Sequence, residues 1–488
     1  MSDNEIATYL GYKGYTIMKE NLTVEEQELI RKELTVKPFV PKTSLSQPTP
    51  FPIYRESKKK MYIPRFYGQE HYGEPEERRI LDTPQLNINF KGELRDFQKP
   101  IVSKYIDEAK KNGGGLLEIH CGAGKTVMAL NIISQLKVKT LVIVHKEFLL
   151  RQWKERIEQF LPGVKIGRIQ GEIMDTQDKQ IVIGMLQSLS MKDYPRKLFQ
   201  QFGLTIIDEC HHIGAEVFSR ALFTVVSKYM LGLSATMERK DSLSKVFKMF
   251  LGPIVFSKKS DNNADVLVKA IYYSHNDDAF SHTDLNFRGQ VHYSKMIKKL
   301  CEFNRRSEFI LKVLKDTLDQ GDKEQQIMII AHNKHLLHYL FDAIEHRKIT
   351  SVGYYVGGMK EHALKASEKK QVIIATYAMA EEALDIKTLT TLIMATPKTD
   401  VRQAVGRILR QKHKQALVID IVDQHDIFQR QWNKRRRYYN RKKYNIVCAD
   451  MENYKKDEWK DISKKKKFKS VALKKDTFLQ GKCMIMDD

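Results

Sequence analysis

Four residues joining two patterned segments could hold phosphate. The apolar run LLEIH ends at His120, KTVMALNIISQL (Lys125–Leu136) has helical periodicity, and Cys121–Gly124 lies between them. Glycines in such a turn let backbone N–H groups converge on an anion at the positive end of the following helix. A lysine then reaches the outer phosphates, and a threonine hydroxyl ligates magnesium. Gly122, Ala123, Gly124, Lys125 and Thr126 fill those places. The longer GxxxxGK[ST] pattern would put glycine where Ile119 stands, so this is the shorter GxGK[ST] form; a tight strand–helix junction without a ligand is the alternative. Farther along, LTIID carries an apolar strand straight into Asp208-Glu209. Such a pair suits Asp208 to hold the magnesium shell and Glu209 to take a proton from attacking water, against the plainer reading of a helix cap. His211 is placed to relay nucleotide state; His212 is as readily a packed or surface histidine.

Positioning these groups requires buried parallel strands. From about 90 to 256 the runs LLEIH, TLVIVH, QIVIGM, LTIID and YMLGLSAT alternate with helical patterns, and from about 300 to 423 QIMIIA, SVGYYV, QVIIAT, TTLIMAT and ALVIDIV do the same. Continuous apolar runs separated by helices predict parallel strands covered on both faces, hence an α/β fold with two similar domains. The division expected is 1–88 as an N-terminal accessory region containing the Pro/Ser/Thr-rich VPKTSLSQPTPFP, 89–257 as the ATP-binding domain, 258–295 as a less regular connecting segment, 296–429 as the second domain, and 430–488 as a basic C-terminal tail. The length of 488 residues exceeds what one core usually serves. No apolar stretch reaches the length of a membrane span, and the N-terminus does not read as a signal peptide, so an intracellular address is expected. The five cysteines form no CxxC pair, which argues against a zinc site or a disulfide framework.

In motif order the chain resembles the superfamily 2 helicases of the DExH type over most of 92–423. LRDFQ looks like the element before motif I, with Gln98 as the adenine contact; VIVHKEFLLRQW resembles motif Ia and GLSATMERKD motif III. TYAMAEEALDIKTL looks like motif V, and QAVGRILR like motif VI, with Gln403, Gly406, Arg407 and Arg410 on the family pattern. CGAGKT, LGLSAT and GRILR look most like the XPB and UvsW type and like helicases of large cytoplasmic DNA viruses. The resemblance implies two tandem RecA-like domains, ATP with Mg2+, and a nucleic-acid track across both. It places Asp385 on the ribose and makes Ser234 and Thr236 the hydroxyls coupling the ATP and nucleic-acid sites, although both could be turn residues. Arg407 and Arg410 become arginine fingers that complete the ATP site when the two domains close, with Gln403 beside them, which would turn nucleotide state into domain spacing. Arg239 and Lys240 follow motif III, and Lys240 replaces the acid of the Arg-Glu-Asp element of XPB-like proteins, leaving that element's role in duplex opening open. Motifs V and VI are too close for a long strand-separating hairpin between them.

Charge points to a polyanionic partner. The chain has 83 Lys and Arg against 60 Asp and Glu, a net +23, and residues 430–488 hold 19 against 8. NKRRRYYNRKKY (433–444) interleaves cations with tyrosines, a pattern that would let a single strand stack its bases while its phosphates are neutralised; a solvated run or a localisation signal is the alternative. DNA is the expected substrate, ahead of RNA or a transcription-termination role, with transcription or repair machinery as a further partner, no membrane, and, for a viral protein, the host cytoplasm or virion as its place. A nucleic-acid-binding protein without motor activity is disfavoured by Lys125, Asp208, Glu209, Arg407 and Arg410 together. A motor-nuclease would need an acidic metal cluster with a lysine, and no convincing one is seen.

Overall fold

The computed structural model describes residues 7–38, 48–120, 122–210, 215–235, 243–258, 265–321, 325–382, 386, 388–409 and 415–463. The chain divides into two compact units, Met1–Asn262 and Asn263–Asp488. Each is built on an eight-stranded sheet.

In the first unit the strands run Ile173–Asp175, Ile166–Gln170, Ile181–Met185, Thr140–Val144, Leu204–Ile207, Tyr229–Ser234, Gly114–Ile119 and Ile254–Lys258 across the sheet. All neighbours are parallel except the first pair. Every residue of Thr140–Val144, Ile181–Met185 and Leu204–Ile207 is buried, which is why these segments read as unbroken apolar runs. One face packs Leu117, Val142, Val144, Ile206 and Leu231 against the helices Lys99–Asn112, Lys125–Leu136 and Glu147–Phe160. The other face, with Leu116, Leu141, Ile143 and Ile207, shares its core with the N-terminal region.

That region, left without structure by the sequence, carries a five-stranded sheet in which Thr8–Gly11, Gly14–Met18 and Lys60–Ile63 form the centre. It is pinned to the larger sheet by the buried Arg65, whose guanidinium donates to the carbonyls of Asn112 (3.2 Å), Ser227 (3.3 Å) and Lys228 (2.8 Å).

In the second unit the order is Val352–Tyr355, Val372–Thr376, Gln326–Ala331, Leu389–Met394, Ala416–Asp423, Val266–Tyr273, Asn445–Asp450 and Lys460–Asp461. Only the last pair is antiparallel. Two expectations change here. Val266–Tyr273 lies in the stretch read as a less regular connection, yet it is an interior strand paired along its length with Ala416–Asp423. The stretch read as a basic tail supplies the helix Asp426–Arg441 and the interior strand Asn445–Asp450. Three of its rings are core rather than platforms for bases, Trp432, Tyr439 and Tyr444 being 1%, 0% and 3% exposed, while Tyr438 is partly buried. The cations separate by face. Arg435 is buried, while Arg430, Lys434, Arg437 and Arg441, spaced at three and four residues, form one exposed stripe.

Two buried ion pairs fasten this unit. Arg435 donates to both carboxylate oxygens of Asp420 at 2.7 and 2.8 Å and to the Lys398 carbonyl at 2.6 Å. Arg306 grips Asp423 at 2.6 and 2.9 Å and the Ala395 carbonyl at 2.8 Å. Both acids sit within the apolar run ALVIDIVD, and that intrusion of charge into a buried strand is the sequence signal for them.

Candidate active site

Ile119 is still strand, which explains the missing first glycine: the chain leaves the sheet one residue later and turns tightly into the helix Lys125–Leu136. Gly122 and Gly124 both take φ of 83°, a left-handed conformation that side chains disfavour. At Gly124 a Cβ would also lie 2.5 Å from Gln98 Nε2. Gln98 itself is 3% exposed and sits under the turn, donating to the Ala123 carbonyl at 2.7 Å and accepting the Arg95 N–H at 2.9 Å. The Nε2 end of its amide therefore holds the glycine turn and the Oε1 end holds the segment before the helix Lys99–Asn112, leaving one N–H and one lone pair for a ligand.

Lys125 folds back beneath the turn. Its Nζ lies 3.4 Å from the Ile119 carbonyl and 3.0 Å from Glu209 Oε1. The strand Leu204–Ile207, paired with Thr140–Val144 and Tyr229–Ser234, delivers Asp208 and Glu209 to this point. Glu209 adopts φ of 47°, uncommon for a residue with a side chain, which redirects its carboxylate at the end of the strand and stores backbone strain of about 1–3 kcal/mol. Its own N–H donates to Asp208 Oδ1 at 2.9 Å.

Asp208 is almost wholly buried, and desolvation pushes its carboxyl up to about 6, with the adjacent Glu209 charge adding to the rise and Lys125 and a hydrogen bond from Trp153 opposing it. That bond, Trp153 Nε1–H to Asp208 Oδ2 at 2.8 Å, involves a residue the sequence reading left without a role. A tryptophan on the apolar face of a helix reads as core, and only the packing of Glu147–Phe160 on the sheet brings it to the acid. Ser234 closes the neighbouring strand, buried and in register with Glu118. Thr126 is one residue into the helix, partly buried.

Gln403 and Arg407 belong to the second unit, on the helix Arg402–Arg407, where Arg407 is buried and Gln403 partly so. Three loops at the C-terminal ends of its strands meet nearby in space. Thr396 Oγ1 accepts the His332 N–H at 3.0 Å and lies 2.9 Å from His332 Nδ1; the Tyr377 hydroxyl donates to the Thr396 carbonyl at 2.5 Å; and Lys398 Nζ lies 4.8 Å from the Tyr377 ring centre. Burial, helped by the Lys398 charge, lowers His332 to about 4, so its imidazole is neutral at physiological pH. The remaining expected residues, His211, His212, Thr236, Arg239, Lys240, Asp385 and Arg410, lie outside the described residues, as does Cys121 of the turn.

A phosphate-type loop over a lysine and an acidic strand end, in one of two parallel-sheet units, defines a nucleotide-driven enzyme of RecA-like architecture. Residues 91–239 match the family model described as Type III restriction enzyme, res subunit. A protein of Acanthamoeba polyphaga mimivirus named as an ATP-dependent RNA helicase is 36% identical over 460 residues, covering 91% of this chain and 87% of that one. A protein of Invertebrate iridescent virus 6 named as a helicase is 26% identical over 73% of this chain and 83% of its own, and the protein of Sulfurisphaera tokodaii named DNA 3'-5' translocase XPB2 is 28% identical over 73% and 88%. The chain belongs to the ATP-dependent helicases of superfamily 2, in the branch that holds helicases of large DNA viruses and XPB. Among the described residues no helix is long and apolar enough to cross a membrane.

The Trp153 contact carries a pH prediction. The indole N–H favours the ionised form of Asp208, so Trp153→Phe should raise that carboxyl further above about 6. The acidic limb of kcat/KM for ATP hydrolysis should move to higher pH, with activity at pH 8 largely kept. A pH profile superimposable on the wild type would show that Trp153 only fills space.

Proposed function

We propose that this chain is a DNA motor that closes two RecA-like halves around ATP and converts hydrolysis into movement along a strand. The observation that carries the reading is the Lys125–Glu209 contact at 3.0 Å beneath the glycine turn. Lysine and candidate base are paired here, so a nucleotide phosphate that draws Lys125 away also takes the lysine's charge from Glu209, which is then better placed to accept a proton from water. Thr126 and Asp208 would hold the magnesium of the ATP complex; a hydroxyl and a carboxylate are hard oxygen donors that suit it. Gln98 keeps the glycine turn in shape while its spare donor and acceptor meet the base. Arg407 and Arg410 supply charge to the γ-phosphate from the second half, Asp385 meets the ribose, and His211, Ser234 and Thr236 carry nucleotide state toward the track.

Nucleic acid is held chiefly through phosphates, with the stripe Arg430, Lys434, Arg437 and Arg441 as one contact, independent of sequence. A second reading, an RNA helicase, is favoured by the name of the mimivirus relative. Within a viral life cycle the protein would work in the host cytoplasm or the virion, beside transcription or repair machinery.

The test is ATPase activity with matched single-stranded DNA, duplex DNA and RNA. Stimulation by DNA well above that by RNA is expected. The reverse order would replace DNA by RNA, and no stimulation by any of the three would remove the motor.

A further inference from the structure

Residues Asp284–His292 fold as a tight hairpin. The Asn286 N–H donates to the Gln290 carbonyl at 2.7 Å, the Gly289 N–H to the Asn286 carbonyl at 2.9 Å, and the His292 N–H to the Asp284 carbonyl at 2.8 Å. Leu285 and Val291 bridge its arms. Asn286 Oδ1 braces the tip by accepting the N–H groups of Arg288 (2.9 Å) and Gln290 (3.0 Å), and Gly289 takes φ of 70° to close it. The base is clamped as well: Lys299 Nζ lies 2.8 Å from Asp284 Oδ2 and donates to the His282 carbonyl at 2.6 Å.

This braced turn holds up Phe287, 84% exposed, with the Arg288 guanidinium 5.2 Å from its ring centre. Among the described residues no large hydrophobic side chain is more exposed, and the braced backbone presents it together with a cation instead of leaving it on a loose loop. The composition of the tip narrows the partner. A flat ring beside a permanent cation, with exposed Lys295 and Lys298 on the helix that follows, matches a ligand offering aromatic faces and negative charge together.

Placement agrees. The hairpin follows the strand Val266–Tyr273 at its C-terminal end, where the His275 N–H donates to Gln424 Oε1 at 2.8 Å. The Tyr293 hydroxyl, just after the hairpin, donates to the Pro397 carbonyl at 3.4 Å. Pro397 neighbours Lys398 of the Tyr377 and His332 cluster, so hairpin and cluster rise from the same edge of the sheet, the edge at which open parallel sheets bind ligands.

We infer that the Phe287 tip is a wedge that stacks on the terminal base pair where single strand meets duplex, while Arg288 takes a flanking phosphate. The inference rests on the nucleic-acid reading above. It also supplies a strand-separating element that the close spacing of motifs V and VI leaves no room for between them.

The test uses the full-length protein without ATP, on matched DNA and RNA junctions carrying 2-aminopurine in the last base pair, with plain single strands as reference. Wild type should quench the probe and bind a junction about tenfold more tightly than a single strand, a size set by one aromatic–base stack. Phe287→Ala should lose the quench and that preference while its unfolding temperature stays put, and Phe287→Trp should restore both. A quench and preference unchanged in Phe287→Ala would overturn the wedge. Because binding is read without turnover, absent ATPase stimulation alongside an intact junction quench would sink the motor and leave the wedge standing.

Discussion

Replacing Lys125 by Ala and Glu209 by Gln is expected to stop ATP turnover by different routes. Lys125 reaches the Ile119 carbonyl and Glu209 from a position 9% exposed, so its removal takes away the phosphate's buried cation and should raise the dissociation constant for ATP. Glu209→Gln keeps the shape but cannot accept a proton, and the rate should fall about a hundredfold to ten-thousandfold. The Gln variant should bind ATP at least as tightly as the wild type, because Lys125 no longer has to leave an ion pair to meet the phosphates. Equilibrium binding of a fluorescent ATP analogue together with single-turnover hydrolysis separates the two outcomes. Turnover near the wild-type rate in Glu209→Gln would remove it as the base, and weak ATP binding in that variant would make it a ground-state contact instead.

Ending the chain after Gln429 is expected to unfold the second unit. From charge alone this cut looks harmless to hydrolysis, since the catalytic candidates lie upstream. In the fold it removes Trp432, Tyr439 and Tyr444 from the core, strips the strand Val266–Tyr273 of its outer neighbour, and leaves Asp420 buried without its guanidinium. The single change Arg435→Ala isolates the last effect. An unpaired buried carboxylate costs about 3–5 kcal/mol, which lowers the unfolding temperature of a unit this size by about 6–20 °C. Exchanging both partners for apolar residues of similar volume, Arg435→Met with Asp420→Leu, should recover most of that loss. Thermal unfolding followed by circular dichroism reads all three proteins. A truncated chain melting as the full one does would show that the helix and strand after 429 are dispensable.

The phosphate turn was legible in the sequence because its chemistry is local: Gly122, Gly124, Lys125 and Thr126 are neighbours, and strand, turn and helix each announce themselves by apolar spacing. The acidic pair was legible for the same reason, sitting at the end of an unbroken apolar run. The two α/β series followed from runs buried on both faces, which leave no alternation to confuse with an exposed sheet.

What spacing could not supply was which distant residues meet. Trp153 reaches Asp208 only because the helix Glu147–Phe160 packs on the sheet beside the strand Leu204–Ile207, and the left-handed backbone of Glu209 is set by the strand end it must turn from. The C-terminal residues show the limit most plainly. NKRRRYYNRKKY has one composition, but winding it into a helix sends Arg435 and Tyr439 inward and Lys434, Arg437 and Arg441 outward, so one segment is both core and charged surface. Net charge sums over a segment, whereas burial is decided side chain by side chain once a helix has a sheet to lie against. That sheet is assembled from strands nearly two hundred residues apart in the chain, as Val266–Tyr273 beside Asn445–Asp450 shows, and only the tertiary structure brings them together.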